Sequence, residues 1–104
     1  MAPAMEFLME LPMAARKKVL YNVERASERN DPELMKKLDT DIWEFRTQYH
    51  GMQYRLLAFW DKQASRLVIA THGFIKKTDK VPGSEIQRAH KLRERYFTEK
   101  PNRP

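Results

Sequence analysis

The hydrophobic period of this chain changes near residue 41, and that change restricts the fold more than any other feature. Before it, Ala15, Val19, Val23 and Ala26 recur at helical spacing and predict a helix over 12–29, with Arg16, Lys17, Arg25, Glu28 and Arg29 mostly on its other face. Pro12 suits the first turn of this helix, and Pro3 the first turn of a shorter one over 3–10 that carries Met5, Leu8 and Met9. Asn30-Asp31-Pro32 breaks the long helix, and Leu34 and Leu38 predict one further helical turn before Asp39-Thr40-Asp41. Beyond that point Ile42-Trp43-Glu44-Phe45-Arg46 alternates with period two. Met52 to Trp60 is rich in aromatics and long aliphatics, and Arg66 to Thr71 contains β-branched residues. His50-Gly51 and Asp61 to Ser65 are short turns, so the three runs predict an antiparallel meander. Pro82-Gly83-Ser84 opens a last helix, with Ser84 as N-cap and Ile86, Ala89, Leu92 and Tyr96 as its apolar stripe. The expected fold is α+β: an N-terminal helical pair, a three-stranded antiparallel sheet and a C-terminal helix. A chain of 104 residues holds this as one domain, with a frayed tail over 98–104.

Several chemistries are excluded by what is missing. Without cysteine there is no disulfide, no thiolate zinc site and no cysteine nucleophile. His50, His72 and His90 are not at ligand spacing, and the three glycines are isolated, so neither a metal nor a phosphate loop is expected. The carboxylates fall mainly in helices and turns, which argues against a paired-carboxylate hydrolase. No cofactor is expected. No apolar run is long enough for a signal peptide or a membrane span, which makes the cytoplasm the expected location.

What remains is cationic. The net charge is +6, residues 1–60 balance, and the whole excess lies in 61–104. Such a polarised field suits a nucleic acid or an acidic protein, although a basic surface can also serve solubility alone. Lys76, Lys77 and Lys80 crowd the end of the third strand-like run. Strand alternation puts Arg46 on a face with Ile42 and Glu44, and Arg55 on a face with Gln53, Leu57 and Phe59. The two arginines would converge with the lysines on an open face of the sheet, or Arg55 would simply pair with Glu44 across the strands. Tyr54 should face away from Arg55 and reads as a core residue or, beside a bulge, as a stacking platform. His72 follows an apolar run and reads as a packed residue or a proton carrier. Trp43, Phe45, Phe59 and Trp60 are expected in the core.

Three motifs carry a resemblance: Trp43-Glu44-Phe45-Arg46, Tyr54-Arg55, and His72-Gly73-Phe74-Ile75-Lys76-Lys77-Thr78 with Lys80 and Pro82. With Glu6-Phe7-Leu8 and Leu11-Pro12 upstream and the final helix downstream, they resemble the phage-derived branch of the RelE/HigB toxin family. The strand that such proteins carry before their helical pair is expected to be absent from this sheet. The resemblance implies a toxin of a toxin–antitoxin pair, restrained by a small helix-turn-helix antitoxin, monomeric when free, that cleaves messenger RNA on the ribosome.

Endoribonuclease chemistry without metal uses the RNA's own 2′-hydroxyl, which attacks the adjacent phosphorus. Negative charge then builds on the phosphoryl oxygens, where fixed guanidiniums stabilise it. Arg46 and Arg55 suit this role because an arginine fork meets two oxygens at once, although arginine cannot act as a base. The 2′-proton needs another acceptor, for which Lys76, Lys77 and His72 are the candidates; lysine ionises far above neutrality and would need cationic crowding to serve. Lys80, Arg88, Lys91 and Arg95 would extend an RNA-binding surface, with Tyr54 as a further candidate.

Overall fold

The computed structural model describes residues 2–29, 31–61, 66–77 and 80–99. Two helices come first, α1 (Ala2–Glu10) and α2 (Met13–Arg29), as their proline starts and apolar spacing predict. The last carbonyls of α1 have no helical donors. Arg16 from α2 supplies them, its Nε donating to the Leu8 carbonyl (2.8 Å) and its Nη2 to those of Met9 (3.1 Å) and Leu11 (3.2 Å). Arg16 is thus a structural cap rather than a free surface charge.

The helical turn expected around Leu34 and Leu38 is a strand instead. Asp31 forms a tight turn, its side chain accepting from the Glu33 amide (2.9 Å) and its carbonyl from the amides of Leu34 and Met35. The chain then enters β1 (Met35–Asp39), which pairs antiparallel with β2 (Ile42–Tyr49) in the register Met35↔Phe45. A Leu34/Leu38 spacing of four mimics helix, but the open edge of β2 offers a hydrogen-bond ladder that an isolated turn lacks. A shift between Lys37 and Asp39 breaks the alternation that would have revealed the strand. With β3 (Met52–Asp61) and β4 (Arg66–Lys76) the sheet has four antiparallel strands in sequential order, not three.

β2 and β3 are joined through His50 (φ 50°) and Gly51 (φ 77°), the left-handed pair that a tight hairpin requires. β4 runs five residues past the expected Thr71. Of the turn expected at Asp61 to Ser65, Asp61 is the last residue of β3 and Lys62 to Ser65 lie outside the described residues. So does the tail beyond Glu99, where α3 (Gly83–Glu99) ends. The helix α3 begins before Ser84: the amides of Glu85 and Ile86 both donate to the Pro82 carbonyl, so Ser84 lies inside the first turn and is not the N-cap.

Helices cover both faces of the sheet. The helical pair packs Ala4, Leu8, Ala15, Val19 and Ala26 against Phe45, Tyr54, Leu56 and Ala58. On the other face Ala89 of α3 seals Ile42, Leu57 and Phe59, with Tyr96 and Phe97 beside them. The direction of α3 follows from its anchors. Glu85 near its start meets His72, the register partner of Leu57, while Tyr96 near its end donates to Asp61 (2.6 Å) at the far end of β3. The helix therefore runs away from Gln53 and Arg55 and leaves that end of the face uncapped. Trp60, expected in the core, is exposed at the opposite end of β3.

Candidate nucleic-acid interface

The register sets Arg46 directly opposite Arg55, so both side chains leave the same face of the sheet. Two neighbouring guanidiniums repel, and Glu44 relieves the strain. Its Oε1 lies 3.5 Å from Arg46 Nε and its Oε2 lies 3.5 Å from Arg55 Nε. The Glu44 and Arg55 side chains are 3% and 4% exposed, whereas that of Arg46 is 34% exposed. The cross-strand pairing of Arg55 with Glu44 is therefore present, and the same carboxylate also serves Arg46.

Arg55 is further held by its Nη1, which donates to the Tyr54 carbonyl (3.0 Å), and by its Nη2, which donates to Gln53 Oε1 (2.8 Å). Burial pushes its pKa below the usual arginine value, Glu44 opposes that shift, and Arg46 adds to it. It stays a cation at neutral pH. Arg55 Nε and Glu44 Oε2 face each other without a hydrogen bond, so the charge balance is local but the donors are not all spent.

An open pocket of about 520 Å³ lies where the short β1 leaves the edge of β2 uncovered. Arg46 and Arg55 line it from the sheet and Lys18 and Arg25 from α2, with Glu33 the one carboxylate among the described lining residues. Asn22 and Thr47 hold its wall together through an amide-to-hydroxyl bond of 3.2 Å. Lys18 went unnoticed in the sequence and Arg25 read as a solvent-facing charge. Their signal was available: Lys18, Asn22 and Arg25 fall at i, i+4 and i+7, one stripe of α2 aimed at the sheet edge.

The other expected site residues lie apart from this pocket. Lys76 pairs in register with Gln53, and two residues before it Phe74 pairs with Arg55, so Lys76 shares the arginine face at its rim, half-buried. Lys77 and Lys80 are exposed around the connection to α3, whose Thr78 and Asp79 fall outside the described residues. Arg88, Lys91 and Arg95 are exposed on α3, where Arg95 Nε donates to Glu99 (3.0 Å).

For Tyr54 and His72 the sequence left two readings open, and both side chains take the packed one. Tyr54 is buried against Leu8, Leu11, Ala15 and Val19 on the helical-pair face, so it is core and meets no ligand on the arginine side. His72 is 1% exposed beneath the start of α3. Thr71 donates its hydroxyl to the Leu57 carbonyl (3.0 Å), which leaves the same oxygen to accept from His72 Nδ1 at 3.1 Å. His72 Nε2 faces Glu85 Oε1 at 3.4 Å, and its ring stacks on Phe74. Burial lowers the imidazole pKa, Arg88 adds to that, and Glu85 opposes it. The ring is a packed, neutral side chain and not a proton carrier for the pocket.

Residues 6–94 match the model of the family described as phage-derived protein Gp49-like (DUF891). The chain belongs to this family. The Gp49-like proteins are a family of RelE/HigB-type toxins of toxin–antitoxin pairs. The Gp49-like match runs from α1 into α3 and takes in Arg46, Arg55, Lys76 and Lys77. No curated protein matches the chain closely enough to add a relative. Among the described residues, no helix is long and apolar enough to cross a membrane, and no group of three or more His, Asp or Glu is placed to hold a metal.

Proposed function

We propose that this Gp49-like protein is the toxin of a toxin–antitoxin pair and a metal-independent endoribonuclease that cleaves messenger RNA on the ribosome. The observation that supports this most is the register pair Arg46/Arg55 in a pocket with Lys18 and Arg25, because four cations converge there against few carboxylates. Arg46, the more exposed guanidinium, meets the non-bridging oxygens of the scissile phosphate. Arg55 lies beneath it as a fixed positive charge, oriented by Glu44 and Gln53. The 2′-oxygen attacks phosphorus in line and its proton passes to a base. The bond to the 5′-oxygen breaks, that oxygen is protonated, and a 2′,3′-cyclic phosphate remains. With His72 buried, Lys76 is the remaining candidate for proton acceptor, beside the pocket through its register partner Gln53, and Lys77 is next to it in sequence. Lys80, Arg88, Lys91 and Arg95 extend the basic surface toward ribosomal RNA. The free toxin is a cytoplasmic monomer that a small helix-turn-helix antitoxin restrains.

A second reading is a non-enzymatic RNA- or ribosome-binding module on the same fold. The burial of His72 and Arg55 favours it, because it thins the catalytic set. Purified protein added to ribosomes carrying messenger RNA separates the two. The enzyme reading expects broken message with 2′,3′-cyclic phosphate ends. Intact message with ribosome-bound protein supports the binding module, and fragments with 3′-hydroxyl and 5′-phosphate ends contradict the proposed chemistry.

A further inference from the structure

Tyr21 is 53% exposed on α2, off the stripe by which that helix buries Ala15, Val19, Asn22 and Ala26 toward the sheet. Packing does not account for a large aromatic ring there. Its neighbours are cationic: Lys18 Nζ and Arg25 Cζ each lie 5.7 Å from the ring centroid. These are the same two side chains that line the Arg46/Arg55 pocket, so the exposed ring and the pocket share a wall. The helix is basic as a whole, with Arg16, Lys17, Lys18, Arg25 and Arg29 against Glu24 and Glu28.

We infer that Tyr21, flanked by Lys18 and Arg25, is a stacking platform for a base of single-stranded RNA whose backbone enters the Arg46/Arg55 pocket. This rests on the RNA reading of that pocket and adds to it a site on the helical pair. An aromatic face attracts both a cation and a nucleobase. At 5.7 Å the two cations lie over the ring without occupying it at stacking distance. A base that settles on the ring displaces one of them, and the displaced cation meets the phosphate that the same nucleotide brings. Charge selects the occupant. A strand with one phosphate per nucleotide matches cations spaced along a helix, and its exposed bases match a ring between them. The platform takes any base, because every base has a π-face.

The test is fluorescence anisotropy at one low salt concentration with two labelled oligomers of equal length. One is 2′-O-methyl oligouridylate, which resists 2′-hydroxyl cleavage, and the other is an abasic ribose-phosphate chain. Tyr21→Ala should weaken binding of the oligouridylate by about 5- to 150-fold and of the abasic chain by less than about twofold. Tyr21→Phe should bind both like wild type, and thermal melts should coincide for all three proteins. Equal loss on both oligomers, or no loss on either, overturns the platform while leaving the pocket reading intact. If wild type binds neither oligomer, the pocket reading and the platform fall together. If Tyr21→Ala spares RNA but loses poly-glutamate, the ring belongs to a protein-docking face and the inference is wrong.

Discussion

At the scale of single residues, Glu44 is the side chain on which the arginine cluster depends. It is buried between Arg46 and Arg55, and removing it leaves a buried guanidinium without its counter-charge. Losing one partner of a buried pair is strongly destabilising. Glu44→Gln should cost about 3 kcal/mol in urea unfolding, at the low end of the range because the 3.5 Å contacts carry no hydrogen bond. An unchanged midpoint would mean that the trio is open to water. His72 gives a pH prediction. Its folded-state pKa lies below the unfolded value near ~6.5. Above that value both states are neutral and the stability is fully present. As pH falls through it, the unfolded chain takes up a proton that the buried ring refuses, so stability declines. Between pH 6.5 and 5 (roughly the window below the unfolded pKa), the wild-type urea midpoint should fall more steeply than that of His72→Gln. Parallel slopes would contradict the burial. Alternation alone revealed that Tyr54 faces away from Arg55, whereas the register was needed to put Arg46 beside Arg55 on one face. Packing of His72 was one of the two readings that the apolar run before it allowed, whereas burial of Arg55 was not legible, because it depends on the register that brings Glu44 and Gln53 around its guanidinium.

At the scale of elements, the helical pair, the meander and the last helix follow from local pattern and punctuation, whereas β1 does not. Met35–Asp39 has no strand signature of its own and becomes a strand because β2 presents an edge. That short edge strand matters for the site, because its early end is what opens the pocket beside Arg46. Packing of α1 on β4 rests on Gly73, where a Cβ would collide with the ring of Phe7. Gly73→Ala should therefore destabilise by about 1–3 kcal/mol, measured by chemical denaturation. Phe7→Ala on the same background should recover part of that loss if the clash is the cause. A Gly73→Ala protein as stable as wild type would place α1 further from the sheet. On the opposite face, His90 Nε2 meets Asp39 Oδ2 at 2.9 Å and Arg93 lies 3.7 Å from Asp41, which tie α3 to the β1–β2 turn. That His90 bond, with the Thr40 backbone, lowers the pKa of the exposed Asp39 carboxyl.

At the scale of the molecule, the division of charge misled the sequence reading. Residues 1–60 sum to zero, yet within them α2 is strongly basic, and the acids that balance it fall on α1, the turns and the first two strands. Summing over halves of a chain hides a field that is organised by helix faces. The folded protein brings α2 cations from the balanced half to Arg46 and Arg55, while the described lysines of the basic half, Lys76, Lys77, Lys80 and Lys91, are not among the pocket's lining residues. RNA affinity should fall steeply with salt. Three or four neutralised phosphates give a slope of about −2 to −3 in log affinity against log salt, and a flat profile would point to an apolar interface instead. The central claim is that the arginine pair stabilises the charge developed in RNA cleavage. It is tested most directly by the single-turnover rate of message cleavage in ribosome complexes saturated with Arg46→Ala protein. The account predicts a rate lower by roughly 10²–10³-fold with little change in ribosome affinity, and a near wild-type rate for saturating Arg88→Ala. Cleavage by Arg46→Ala at the wild-type rate would contradict it.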